Sequence, residues 1–263
     1  MQPTLDLSFE VTKVLAEMEK NGIKINRQSL ETVKQEYTAE ANELEKFLNQ
    51  EIARVMGDTP INLASPEDRS KLLFSRGVKN KKAWAQHFNL GYELRGNTKK
   101  PKRRPAMSDA QFKRTVKNGT IIQYRTEAER CNVCNGYGRV AKKRKDGTWG
   151  KARYICKACN GVGIRYKPTS HVAGFKLSPI SVMSCSTQGF KTDADVLSLY
   201  KERGNKEAYA FIEKYLRFNA IKTYLKTFVE GIEKNLDYSD KIHPQFMQCV
   251  TSTGRLSSRS PNF

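Results

Sequence analysis

Four of the six cysteines of this chain fall into two short units, Cys131-x-x-Cys134 and Cys156-x-x-Cys159. Thiolates are strong zinc ligands, and two such knuckles brought together supply the tetrahedral set of four that a structural zinc ion needs. The units are near copies, CNVCNGYG and CKACNGVG. The glycines after each pair (Gly136, Gly138, Gly161 and Gly163) permit backbone conformations closed to other residues, so that amides can turn toward the sulfurs. Four thiolates leave no open position for water, which makes this chemistry structural rather than catalytic. His171, the nearest histidine, is not needed as a ligand. Cys185 and Cys249 stand alone, and paired CxxC units in a reducing compartment read as metal ligands rather than disulfides.

Between the two units runs RVAKKRKDGTWGKARYI, where Asp146-Gly147 has the chemistry of a hairpin turn. A zinc ribbon over about residues 131–163 is the simplest outcome. Arg139, Lys142, Lys143, Arg144, Lys145, Lys151 and Arg153 alternate there with Trp149 and Tyr154, cations that hold phosphates beside rings that stack on bases. The plainer reading is a solvated hairpin. Charge distribution favours a nucleic acid: the chain is +20 overall with a pI near 9.7, and residues 91–170 hold 21 Lys+Arg against 5 Asp+Glu. Residues 1–60 are acidic, with 7 basic against 11 acidic side chains, so the basic stretch is an insert in a nearly neutral body.

The elements that must carry this module are mainly α. Leu7, Val11, Val14, Leu15 and Met18 repeat at helical spacing and Asn21-Gly22 supplies a stop. A longer helix is expected from about Gln28 to Val55 on the seam Leu30, Val33, Tyr37, Ala41, Leu44, Leu48 and Ile52, giving with the first a two-helix arm. Ser65-Pro66 with Glu67 and Asp68 opens a short helix ending near Gly77. Beyond Leu90 the Lys/Arg/Pro/Gly-rich composition reads as an insert or linker with little regular structure until about Leu177. Thr192 caps a helix over 193–203, a long helix covers about 206–234, and residues 244–251 are strand-like. No apolar run spans a bilayer and the N-terminus has no signal-peptide pattern, so a cytoplasmic protein, of a bacterium or a phage-infected host, is expected.

Two resemblances follow from these residues. The knuckles are similar to the CxxCxGxG repeats of the DnaJ chaperone family, but that family has four repeats and a J-domain signature absent here. The second covers more of the chain. VLAEMEKNGIKIN (Val14 to Asn26), INLASPEDRSKLLFSRGV (Ile61 to Val78), STQGFKTDADVL (Ser186 to Leu197), FNAIKTYLKTF and above all FMQCVTSTGRLSSRSPN (from Phe246) resemble, in order, motifs of family A DNA polymerases. The resemblance implies a thumb over 1–78 and 186–242, with long antiparallel helices, an insertion at 79–185 near the thumb tip carrying the ribbon, and the start of a palm at 243–263.

It further implies that Arg255 reaches the minor groove near the primer terminus, where acceptors are presented regardless of sequence. Gln248, Thr251, Thr253, Gly254, Ser257, Ser258 and Asn262 would accompany it on DNA, and Lys222 and Thr223 would contact phosphates, with Tyr224 better placed in the core. Nucleotidyl transfer needs carboxylates that hold two metal ions, yet no Asp or Glu follows Asp240. Glu43, Glu45 and Asp68 read as solvated charges. Mg2+ therefore belongs only to a complete polymerase, and this segment alone is expected to be inactive. The implied function is the primer-template grip of a DNA-directed DNA polymerase, partnered by a downstream palm and fingers polypeptide or by a replication protein docked on the insert. A stand-alone zinc-ribbon adaptor, binding nucleic acid or acting like DnaJ, is the alternative.

Overall fold

The computed structural model of the protein describes residues 2–104, 106–203, 206–248, 250 and 255–260. In chain order the elements are α1 (Gln2–Asn21), β1 (Ile23–Lys24), α2 (Arg27–Met56), α3 (Pro66–Phe74), β2 (Arg76–Gly77), α4 (Lys81–His87), β3 (Tyr92–Arg95) and β4 (Thr98–Pro101). Then come α5 (Asp109–Thr115), β5 (Thr120–Ile121), β6 (Gln123–Arg130), β7 (Arg139–Lys143), β8 (Trp149–Ile155), β9 (Ile164–Val172), β10 (Cys185–Ser186) and β11 (Gly189–Phe190). The chain continues through α6 (Ala194–Ser198), α7 (Tyr200–Arg203), α8 (Lys206–Thr223), a π-helical turn (Tyr224–Val229), α9 (Glu230–Asn235), β12 (Lys241–Ile242), β13 (Gln245–Met247) and β14 (Ser257–Arg259). Every sheet among the described residues is two-stranded and antiparallel. The chain divides into two compact units, one formed by 1–47 and 214–263 and the other by 48–213.

In the first unit α2 is tied along its length to the α8–α9 rod. Arg27 pairs with Asp240, Lys34 with Glu233 (2.7 Å), Tyr37 stacks on Tyr224 (ring centroids 6.2 Å), and Arg217 grips Glu40 with two bonds of 2.7 and 2.8 Å. Partners fall in number on one side as they rise on the other, so the two run antiparallel. The expected two-helix arm of α1 with α2 is thus replaced by a pairing of α2 with a rod some two hundred residues later, which no local periodicity can reveal. α1 ends at Gly22, whose amide donates to the Met18 carbonyl and whose φ of 66° puts it in the left-handed region. A Cβ there would stand 2.7 Å from the His243 ring. Glycine lets β1 turn straight onto β12, Ile23 opposite Ile242.

The second unit has an aromatic core. Phe74 meets Phe190 at 4.7 Å and Tyr200 at 5.9 Å, Trp84 meets Phe88 at 4.6 Å and Phe190 at 5.4 Å, and Phe88 reaches Phe112 at 6.3 Å. Trp84 and Phe88 come from α4 and its C-cap and Phe112 from α5, all inside the 79–185 stretch that the resemblance implies is an insertion. The sparse regular structure expected from 91 to 177 is therefore corrected: single large aromatics in a basic sequence suffice to dock short helices, each burying an amount of apolar surface that charged neighbours do not dilute. α3 begins as its sequence dictates, Ser65 Oγ accepting from the Asp68 amide behind Pro66. It ends at Ser75 in the left-handed region, and its last carbonyls are met from outside, Leu72 by the Phe175 amide and Leu73 by the Leu177 amide (both 2.9 Å).

From this core rises a stalk, β6 paired with β9 from Gln123–Val172 to Arg130–Ile164. Its root is closed by Ala173 donating to the Ile122 carbonyl (2.8 Å), by Ile122 donating to Ser75 (3.0 Å) and by Asp58 donating to Arg125 (2.8 Å). The hairpin β7–β8 and the cysteines sit at its far end. Strand content is accordingly larger than a mainly α expectation allowed.

Candidate metal centre and nucleic-acid interface

Stalk and hairpin hand the chain into two turns of the same design. The Cys131 amide donates to the Gly163 carbonyl and the Cys156 amide to the Gly138 carbonyl, each at 2.9 Å. Within each knuckle the fourth residue after the second cysteine returns its amide to that sulfur: Gly138 to Cys134 Sγ and Gly163 to Cys159 Sγ, both 3.2 Å. A Cβ on Gly138 would lie 2.1 Å from the Gly161 carbonyl oxygen, and one on Gly163 would lie 2.2 Å from that of Gly136. The two halves interlock through a backbone approach that only glycine permits, at φ of 69° and 83°.

The result is four buried thiols whose sulfurs all lie within 4.8 Å of one another. Cys131 and Cys156 sulfurs are 4.0 Å apart, and those of Cys134 and Cys159 3.6 Å. A tetrahedron with metal–sulfur bonds of about 2.3 Å has edges of about 3.8 Å, so the donor set matches such an ion in number, type and spacing. Burial opposes ionisation at Cys131, but the amides of Cys134 and Val133 and the neighbouring thiols outweigh it and bring that thiol down to about 7. Burial and the adjoining thiols push Cys134 up to about 11. One thiol is drawn down while its neighbour is pushed up, as expected of thiols packed closely enough to compete for a proton.

Around the cluster Arg139, Lys142, Lys143, Arg144, Lys145, Lys151 and Arg153 are all exposed. The turn forms as its sequence indicates, Asp146 accepting from the Thr148 amide (2.9 Å) and hydroxyl (2.7 Å), which hold its carboxyl below the usual range. Neither the stalk nor the exposed Tyr137 beside the first knuckle is foreshadowed by local pattern, because QYRTEAER and IRYKPTSHV carry polar residues on both faces.

The C-terminal candidates belong to the other unit. Gln248 donates to Thr12 Oγ1 (3.2 Å), Ser257 and Ser258 lie on β14 opposite Met247 and Phe246, and Arg255 is exposed just before that strand. Ser257 Oγ is buried with no hydrogen-bond partner among the described residues. Thr251, Thr253, Gly254 and Asn262 lie outside the described residues. On the α8 rod the Lys222 ammonium sits 4.5 Å from the Phe218 ring and Thr223 Oγ1 is committed to the Asn219 carbonyl (2.9 Å). Tyr224, expected in the core, is instead partly exposed at the start of the π-helical turn, where its ring stacks on Tyr37. Thr192 does not cap its helix; Asp193 holds that place and Thr192 Oγ1 accepts from Arg69 Nε. Asp68 is not a loose solvated charge, since it pairs with Lys71 (3.1 Å) and accepts from the Asn62 amide (3.2 Å).

Residues 173–263 match the family model described as DNA polymerase family A. DNA polymerase I of Treponema pallidum (strain Nichols) is 40% identical over 77 residues, covering 29% of this chain and 7% of that protein. DNA polymerase I of Bacillus subtilis (strain 168) is 32% identical over 89 residues, 34% of this chain and 10% of its own length. A solved structure, the POL domain of Pol1 from M. smegmatis in complex with DNA primer-template and dNTP, superposes over 97% of this chain and 26% of that one at 20% identity, with a TM-score of 0.45. The chain therefore spans a tenth or less of the curated relatives it matches. No described helix is long and apolar enough to cross a membrane.

Proposed function

We propose, from a chain whose residues 173–263 are DNA polymerase family A sequence, that it is the thumb and the start of the palm of a DNA-directed DNA polymerase. In this reading it grips primer-template DNA during replication and carries an inserted zinc ribbon as an added clamp. Supporting it most directly is the family match over the segment containing TGRLSS. Arg255, with Gln248, Thr251, Thr253, Gly254, Ser257, Ser258 and Asn262, is proposed to lie along the primer-template minor groove. Lys222 and Thr223 take backbone phosphates, the first by its charge, the second by turning its hydroxyl hydrogen from the Asn219 carbonyl to a phosphate oxygen.

Cys131, Cys134, Cys156 and Cys159 are proposed to hold a structural Zn2+, which fixes the hairpin so that Lys142, Lys143, Arg144, Lys145 and Arg153 face phosphates. Mg2+ and nucleotidyl transfer are proposed for the complete polymerase, in which palm and fingers are the corresponding partner of this segment.

Fluorescence anisotropy with primed template DNA across a salt series tests the grip. Tight binding at low salt, falling steeply with log salt according to the number of phosphates neutralised, is expected, with no nucleotide incorporated by this chain alone in Mg2+. Salt-insensitive binding, or preference for unfolded protein over primed DNA, would point to the adaptor instead.

A further inference from the structure

We infer that the β7–β8 hairpin is a stacking platform for single-stranded DNA, centred on Trp149. This rests on the reading of the chain as a DNA-gripping polymerase segment and goes beyond it by assigning the ribbon a strand state different from the primer-template duplex.

The ladder sets Arg139 opposite Ile155, Ala141 opposite Arg153 and Lys143 opposite Trp149. Opposed residues project to one face, and positions two apart on a regular strand share it. Arg139 and Ala141 on β7 therefore share a face with Ile155 and Arg153 on β8; the register shifts between Ala141 and Lys143, and beyond the shift Lys143 pairs with Trp149. Lys143 and Trp149 project together at the turn end of the hairpin, the Lys143 ammonium lying 6.0 Å from the indole centroid. Tyr154, opposite Val140, points to the other face. The hairpin is open: Trp149 is 68% exposed and Ile155 64%. It is also of one sign. Between Cys131 and Ile164 the single carboxylate is Asp146, held in the turn by Thr148.

An occupant must meet both features, a row of cations and a bare indole. Duplex DNA offers phosphates, but its base faces are stacked on one another. An acidic peptide offers charge without a series of flat π-faces. A single strand offers phosphates and free base faces together, the pairing used wherever strands are held without sequence preference. Ile155 adds a further exposed apolar stem on the same hairpin, and Arg153 opposite Ala141 has room to swing onto a phosphate.

The chain has two tryptophans. Trp84 is buried, donates to the Ser186 carbonyl (2.8 Å) and packs on Phe88 and Phe190, so base quenching of tryptophan emission reports Trp149. The full chain, zinc-loaded, is titrated with a thymidine oligomer, a blunt duplex and a uridine oligomer of equal length at one salt concentration. Quenching by the thymidine oligomer and not by the duplex is expected. Trp149→Ala should weaken thymidine-oligomer binding about 5- to 150-fold and leave duplex affinity within about twofold. Trp149→Phe should retain most of it, and equal zinc content in both variants checks that the ribbon is intact. Equal quenching by duplex, or a Trp149→Ala chain that binds the oligomer as the parent does, overturns the inference. A uridine oligomer bound as tightly as the thymidine one overturns its assignment to DNA. Failure to bind any DNA, duplex included, would instead strike the polymerase reading on which it rests.

Discussion

Gly138 and Gly163 decide whether two knuckles can become one metal site. Each carries an amide bonded to a ligand sulfur and each lies where a Cβ would stand 2.1 or 2.2 Å from a carbonyl oxygen of the opposite knuckle. Gly138→Ala or Gly163→Ala should lower zinc affinity about 10- to 100-fold, the range for losing a group that orients a ligand, as read by competition with a chromogenic chelator. Gly231→Ala is the control, since a Cβ there meets nothing within 4 Å and its φ is unexceptional; it should leave zinc unaffected and add helix stability of about 0.5–1 kcal/mol. At this scale the sequence was legible as far as which four cysteines come together. CNGxG repeated twice names the sulfurs and a need for unusual backbone, whereas the interlocking of Gly138 with Gly161 and of Gly163 with Gly136 is a contact between halves that spacing alone cannot predict.

Among elements, the turn joining α9 to β12 is organised by one carboxylate. Asp237 Oδ1 accepts from the amides of Lys241 and Ser239 (both 2.8 Å), and its Oδ2 lies 3.3 Å from His243 Nε2. The Lys241 amide above all, then the Ser239 hydroxyl and amide and the His243 ring, draw its pKa down from 3.8 to about 2. A depressed folded pKa means that Asp237 contributes its full stabilisation above the ordinary carboxylate value and loses it as pH falls through 2. Carboxyl carbon chemical shifts followed by NMR should show Asp237 titrating near 2, and Asp237→Asn should flatten the acid loss of the turn between about pH 4 and 2. Helix boundaries were readable because their signals are local, as at Ser65-Pro66 and Asn21-Gly22. Pairings were not. The partner of Glu40 is Arg217, that of Arg125 is Pro168 across the stalk, and both β6 and β9 are polar on either face, so no hydrophobic alternation marks them. The docking of α4 and α5 was hidden in the same way, by Lys and Arg around three aromatics.

For the molecule as a whole, the boundary that matters for engineering is not the ends of the 79–185 stretch. Removing all of it would take Trp84, Phe88 and Phe112 out of the aromatic core and should leave the chain unfolded. Replacing residues 124–171 by an Asn-Gly turn, which suits a two-residue hairpin, should keep the far-ultraviolet circular dichroism of the helices. It should also abolish zinc binding and flatten the salt dependence of DNA affinity by the share of phosphate contacts the ribbon makes. An unchanged salt slope in that variant would separate the ribbon from DNA. The closed root of the stalk makes such surgery feasible, and it has a thermodynamic corollary. Because Ala173 already bonds to Ile122, the chain length that the core must close over is fixed below the metal site. A melted ribbon would leave the core closing a flexible loop of roughly fifty residues, a cost that grows only slowly with loop length. Chelating the Zn2+ proposed for the four cysteines should therefore melt the ribbon in isolation, leaving the core insulated from the redox and chelation history of that cluster.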